Sequence, residues 1–164
     1  MCATRVHELG AGPPGEATIR RMTRGDLDAV AAVERISFSS PWSRESFRRL
    51  LSRPDTDLFV AEIDGRIAAY AVLWYAGDEA ELGNLAVSPT DRRRGLGARL
   101  LDRAIECARA RGTRRLFLEV RRSNVAAERL YRSRAFQAVG VRPRYYHRPV
   151  EDALVLRLDL GGAR

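Results

Sequence analysis

The stretch Asp91-Arg92-Arg93-Arg94-Gly95-Leu96-Gly97-Ala98 constrains this chain most, because of what stands on either side of it. Before it, Glu81-Leu82-Gly83-Asn84-Leu85-Ala86-Val87 reads as a strand closed by the turn signal Ser88-Pro89. After it, Leu96, Leu100, Leu101, Ala104, Ile105 and Ala108 recur at helical spacing until Gly112. A strand, a basic glycine-containing turn and a helix present free backbone N–H groups to an anion. Glycines at 95 and 97 let the backbone approach closely, and the helix N-terminus adds partial positive charge. The arginines supply formal charge for a polyphosphate. The turn lacks the Lys-Ser/Thr ending of a nucleotide-triphosphate loop, and the chain holds no lysine anywhere, which argues against that kind of NTPase. Leu100 stands where a G-x-G-x-x-G fingerprint needs its third glycine, which weakens a dinucleotide reading.

A chain of 164 residues, 45% hydrophobic and 30% charged, has the size and composition of one globular domain with a real core. No apolar run approaches the roughly 18 residues that span a bilayer, so no membrane association is expected. Met1 to Ala17 carries Gly and Pro without a continuous apolar segment. It reads as a flexible tail rather than a secretory signal, which leaves the cytoplasm as the expected location. Cys2 and Cys107, with His7 and His147, are too few for a disulfide framework or a zinc centre, and no metal is expected. The net charge is +8, but all 29 basic residues are arginine, interleaved with 21 acidic ones and without the aromatic spacing of a stacking platform. Direct nucleic-acid binding is not supported. The charge does suit proximity to an acidic or ribosomal environment.

Thr18 to Met22 looks like a first strand, and Thr23-Arg24-Gly25-Asp26 has the spacing of a capping box. Leu27, Val30, Ala31, Val33 and Ile36 then continue a helix that ends near Phe38, and Ser43 caps a second helix carrying Phe47, Leu50 and Leu51. Strands 58–63 and 67–74 flank Asp64-Gly65, the strongest short hairpin signal, and a third run covers 80–87. After the long helix, 115–120 is a strand expected to lie parallel to the one before it. A helix from Asn124 to Arg134 follows, then strands 135–142 and 153–160, with His147 placed in a loop. The order β-α-α-β-β-β-α-β-α-β-β makes an α+β fold with a mixed sheet, one domain over 18–160 between tails 1–17 and 161–164.

Glu119 interrupts the apolar strand Leu116-Phe117-Leu118-Glu119-Val120, so it lies on the solvent face by alternation or in a crevice at the strand ends. Tyr131 lies on the next helix, where it either packs on the sheet or offers a phenolic proton. Asn124 caps that helix or reaches a ligand, and the two uses are compatible.

Arg92-x-x-Gly95-x-Gly97, in its strand–turn–helix context, resembles the Q/R-x-x-G-x-G/A loop of the GNAT acyltransferases. Leu118-Glu119-Val120-Arg121-Arg122-Ser123-Asn124-Val125-Ala126-Ala127 followed by Leu130-Tyr131 is similar to the bacterial ribosomal-protein-alanine N-acetyltransferases of that family. Pro41-Trp42-Ser43, Asn84 to Val87, Tyr145-Tyr146 and Glu151-Asp152-Ala153 fall in the same order as that group's segments. The resemblance implies a GNAT fold over 18–160 and acetyl-CoA as co-substrate. Leu85, Ala86 and Val87 would offer backbone groups to the pantetheine arm. Arg93, Arg94, Gly95, Leu96, Gly97 and Ala98 would hold the pyrophosphate, with Asn124 also touching acetyl-CoA. It implies Glu119 as proton acceptor, Tyr131 as proton donor, and the N-terminal alanine of a ribosomal protein as acceptor. The chemistry agrees: the attacking amine must be neutral, and an α-amino group titrates near pH 8, against about 10.4 for a lysine side chain. One carboxylate is then a sufficient base. The alternatives are a lysine side chain or small amine as acceptor, or a non-catalytic acyl-CoA-binding or ribosome-binding module. In one respect the chain departs from the family. Ala135 stands where L-Y-x-x-x-G-F has glycine, and it is strained if that turn needs positive φ.

Overall fold

A computed structural model describes residues 14–161. Cys2, His7 and most of the two expected tails lie outside the described residues. Along the chain run β1 (Ala17–Arg21), α1 (Leu27–Ser37), α2 (Arg44–Leu51), β2 (Thr56–Ile63), β3 (Arg66–Ala76) and β4 (Glu79–Val87). They are followed by α3 (Leu96–Ala110), β5 (Arg115–Arg121), α4 (Val125–Ser133), β6 (Gln137–His147) and β7 (Val150–Asp159). The described strands form one seven-stranded sheet in the order β1-β2-β3-β4-β5-β7-β6. Every neighbouring pair is antiparallel except β4 and β5, which are parallel as the helical crossover between them requires.

Local signals place most of these boundaries. Asp64 and Gly65 both adopt positive φ, 49° and 77°, the two-residue turn whose twist matches a hairpin, and Ile63 pairs with Arg66 across it. Ser43 Oγ accepts from Ser46 N at 3.1 Å and Asn124 Oδ1 accepts from Ala127 N at 3.2 Å, so each satisfies an orphan donor at the start of its helix. The middle of the sheet is buried on both faces, while the edge strand β6 is exposed. Along β3, Ala69, Ala71 and Leu73 enter a core with Leu100 and Leu101 of α3, while Tyr70 and Val72 enter one with Val30 and Phe47 of the first two helices. Within α1 the buried residues are Leu27, Val30, Ala31, Val33 and Glu34, whereas Ile36, expected to continue the stripe, is 60% exposed. Position 34 is seven beyond 27 and falls on the same helical face; position 36 does not.

Two irregularities open the sheet. Val72 lies opposite Asn84 but Leu73 opposite Leu82, so Gly83 is an extra residue on β4. The Trp74 ring covers it so closely that a Cβ on Gly83 would meet the ring at 2.2 Å. Next, β4 and β5 stay in register only through Glu79–Arg115, Ala80–Leu116 and Glu81–Phe117. Beyond these pairs the strands diverge and leave a gap at their carboxyl ends.

The last hairpin is longer than the sequence reading. β6 continues past Arg142 to His147, which therefore lies in a strand opposite Val150 rather than in a loop. Register is lost between Arg142 and Tyr146 and then resumes, with Arg144 at φ 52° and its N donating to Asp152 Oδ1 at 2.9 Å. Pro143 interrupts the alternation that would have signalled one strand, and an edge strand tolerates it.

Ala135 does adopt positive φ, 66°, in the turn that closes α4, with its N donating to Arg132 O at 3.0 Å. A Cβ in that region costs roughly 1–2 kcal/mol, partly offset by the freedom a glycine would gain in the unfolded chain. Ala135→Gly is therefore expected to raise unfolding free energy by about 1 kcal/mol, read as a shift in the urea midpoint at constant slope. An unchanged midpoint would mean that the turn stores no strain.

Candidate active site

The gap between β4 and β5 opens into a cavity of about 390 Å³. Leu82 to Leu85 form one side and Glu119 to Arg121 the other, with α4 contributing Asn124, Leu130 and Tyr131. The α1–α2 connection and the Tyr145–His147 end of β6 form its outer lips.

Next to Leu85 and Leu130 of that lining lies the basic turn. Arg93 at φ 62° and Gly95 at φ 74° take left-handed conformations that turn the chain into α3, with Gly95 as its N-cap. Beneath it the buried Asp91 carboxylate receives both guanidinium arms of Arg66, at 2.6 and 2.9 Å, and Arg94 at 3.3 Å. Arg66 foremost holds that carboxyl below the usual range. Arg94 also donates to Gly15 O at 2.7 Å, so this arginine braces the turn as well as adding charge. Arg93 and Gly95 are exposed, Leu96 is buried in the core, and Ala98 is half-buried on the first turn. A Cβ on Gly97 would sit 3.5 Å from Leu130 and 3.7 Å from both Leu85 and Val87, so the turn closes directly on the end of β4 and on α4. Leu85 and Val87 face this side, and Ala86 packs against the opposite core.

Leu85, Glu119, Asn124 and Tyr131 thus meet at one cavity, while Ala86, Val87 and residues 93–98 lie outside its lining, with Gly97 next to Leu85 and Leu130. Along β5, Leu116, Leu118 and Val120 are buried on one face, and Glu119 leaves from the other. Its side chain is 14% exposed, receives Arg142 Nε at 2.6 Å and lies 3.4 Å from the Tyr145 hydroxyl. Tyr131 is 7% exposed, edge-on to Phe136, and burial pushes its phenol up to about 12.

Two carboxylates here were not singled out from the sequence. Glu81, the last β4 residue in register with β5, accepts from Trp74 Nε1 at 3.0 Å. Burial and then the neighbouring Glu119 charge raise its carboxyl. Glu34 is 1% exposed and accepts from Trp42 N at 2.8 Å, from Asn84 Nδ2 at 3.2 Å and from the Tyr70 hydroxyl. It ties the α1–α2 connection to β4, and its place in the helical stripe was the available signal.

Burial pushes Glu34 up to about 7, against the opposing bonds from Trp42 and Asn84. Since the folded value lies above the unfolded one of about 4.3, its contribution to stability is complete below that pH and lost as pH rises through 7. The wild-type melting temperature should therefore fall between about pH 5 and 8 relative to Glu34→Gln, as read by calorimetry across that range. Parallel profiles for the two proteins would remove Glu34 as the source.

A parallel strand pair that parts at its carboxyl ends beside an anion-type turn makes a crevice of the kind in which α/β sheets bind ligands, and Glu119 and Tyr131 both line it. Residues 27–136 match the Acetyltransferase (GNAT) family, and the chain belongs to that family.

Among its relatives, the ribosomal protein bS18-alanine N-acetyltransferase of Salmonella typhimurium is 37% identical over 145 residues, 87% of this chain and 97% of that protein. The N-alpha-acetyltransferase RimI of Mycobacterium tuberculosis is 37% identical over 150 residues, 88% and 93% of the two chains. The crystal structure of the Escherichia coli ribosomal-protein-S18-alanine N-acetyltransferase superposes with a TM-score of 0.84 at 35% identity, covering 91% of this chain and 97% of that one. Among the described residues no cluster of His, Cys, Asp and Glu could hold a metal ion, and no helix is long and apolar enough to cross a membrane.

Proposed function

We propose that this chain moves the acetyl group of acetyl-CoA onto the N-terminal α-amine of a ribosomal protein that begins with alanine. The observation that carries this reading is the Glu119 carboxylate in the parted β4–β5 gap, with Tyr131 lining the same cavity.

Acetyl-CoA supplies the activated thioester. Backbone groups of Leu85, Ala86 and Val87 hold its extended arm in the gap, where β4 has lost its pairing with β5. The exposed backbone of residues 93–98, with the positive end of α3 behind it, takes the pyrophosphate. Asn124 keeps its Oδ1 on the helix cap and leaves its amide donors for the cofactor. Glu119 accepts the proton of the incoming ammonium, directly or through one water. The neutral nitrogen forms its bond to the carbonyl carbon as the carbon–sulfur bond breaks. Tyr131 delivers a proton to the departing sulfur, and the second proton shed by the newly acylated nitrogen passes through water to restore the phenol. Burial keeps that phenol protonated at neutral pH. Transfer is direct, because Cys107 is fully buried within α3 and offers no nucleophile to the cavity. The relatives' acceptor and the net charge of +8 favour a ribosomal protein, met near the ribosome, over a lysine side chain or small amine.

The test uses acetyl-CoA and three peptides: one with a free N-terminal alanine, one with that terminus blocked, and one offering only a lysine side chain. Mass spectrometry locates the product. Acetyl on the free α-amine alone is expected; acetyl on lysine alone overturns the acceptor, and no product with any peptide overturns the activity. Tyr131→Phe is expected to lower kcat by about 10- to 100-fold with acetyl-CoA affinity nearly unchanged. Normal turnover with a large loss of affinity would oppose the acid role.

A further inference from the structure

Arg121 closes β5 two residues beyond Glu119, so the two side chains leave the same face of the strand. Its guanidinium reaches both lips of the cavity. Nη2 donates to Ser39 Oγ on the α1–α2 connection at 3.3 Å and to the Arg148 carbonyl at 3.4 Å. Nη1 donates to the Pro149 carbonyl at 3.1 Å and to Glu151 Oε2 at 3.3 Å, all in the turn and start of β7. The guanidinium carbon lies 4.2 Å from the centroid of the Tyr146 ring, which itself lines the cavity. Glu151 in turn accepts from Ser123 N, which secures the loop that follows Arg121.

These bonds join segments that the sheet leaves separate. β6 pairs with β7 alone at the sheet edge, and the α1–α2 connection belongs to no strand. A planar fork of donors stacked on an aromatic face suits such a junction, and a lysine ammonium does not reproduce it.

We propose that Arg121 is a positioning residue that sets the width of the acceptor groove by clasping the α1–α2 connection to the β6–β7 hairpin. The proposal rests on the N-terminal acetyltransfer reading, and it assigns Arg121 to the peptide side of the site. On that reading the acetyl-CoA arm enters between β4 and β5 while the peptide passes between the two lips, so a loosened clasp weakens peptide binding more than cofactor binding.

The experiment compares wild type with Arg121→Met, Arg121→Lys, Ser39→Ala and the double variant Arg121→Met/Ser39→Ala. Each is read by peptide KM and kcat, acetyl-CoA Kd and melting temperature. Peptide KM is expected to rise about tenfold in both Arg121 variants and less in Ser39→Ala, with acetyl-CoA Kd within about twofold of wild type. The double variant should lose less than the product of the two single effects, because the residues share one contact. An unchanged KM in Arg121→Met, full rescue by lysine, or single effects that simply multiply would overturn the clasp. So would a loss of acetyl-CoA affinity and melting temperature in step with KM, which marks a folding role. If wild type acetylates only the lysine peptide, the acceptor reading fails, and the same KM comparison on that peptide still decides the clasp.

Discussion

Glu119→Gln is expected to lower kcat by about 10²- to 10⁴-fold while acetyl-CoA affinity changes little, since a positioned general base contributes on that scale. The substitution keeps the side chain's shape and removes its charge and its capacity to accept a proton. It also breaks the ion pair with Arg142, but Arg142 is largely exposed, and an ion pair of that kind contributes little to stability. A folding defect is therefore not expected, and equal melting temperatures would confirm that the loss is chemical. The pH profile gives a second signature. Above the α-amine's own value near 8, solution supplies neutral amine without help, so the deficit of the variant should shrink as pH rises. A loss below about tenfold would place the base elsewhere. Glu81 is the first candidate then, because its carboxylate neighbours Glu119 and burial already favours its protonated form.

The second large effect lies away from the cavity. Asp57→Ala is expected to cost about 3 kcal/mol of stability, the lower end for breaking a buried ion pair. The Asp57 side chain is fully buried and accepts from Tyr75 at 2.7 Å, from Arg21 at 2.8 Å and from two nitrogens of Arg111 at 3.0 Å each. Arg111 also stacks over Tyr75 at 4.3 Å, so the cluster joins the end of α3 to β2 and β3. Both arginines retain some access to water, which is why the cost is placed at the low end. Burial raises the Asp57 carboxyl, but the bonds from Tyr75, Arg21 and Arg111 outweigh it and leave it below its ordinary value. A depressed value means stability that is present above about pH 4 and lost as pH falls through the folded value. Acid unfolding should consequently be shallower in Asp57→Ala, alongside its lower urea midpoint at neutral pH. A cost below about 1 kcal/mol would show that water replaces the cluster, as it does for surface pairs.

The parts of the site that were legible beforehand are those set by short spacing. The basic turn stands between strand and helix because Gly95 takes a left-handed conformation and Leu96, Leu100 and Leu101 repeat at helical period. Asp64-Gly65 specified its hairpin, and Ser43 and Asn124 their helix starts, through backbone demands met within four residues. Alternation along β5 set Glu119 apart from Leu118 and Val120 and left two environments open; the packing chose the gap. Where local pattern failed, a distant contact had prevailed. Pro143 and Arg144 hid the continuity of β6, which is restored by pairing with β7 and by Asp152 holding Arg144 N.

By itself, then, the sequence determined the order of elements, the parallel crossover and the basic turn between β4 and α3, because periodicity, capping and turn conformation act over a few residues. Only the tertiary structure decided that Glu34 binds Asn84, 50 residues away, that Glu81 lies beside Glu119, and that Arg121 reaches Ser39 across 82 residues. Those groups meet because the sheet brings separate strands and connections to one opening, and no spacing along the chain encodes which side chains will face each other there.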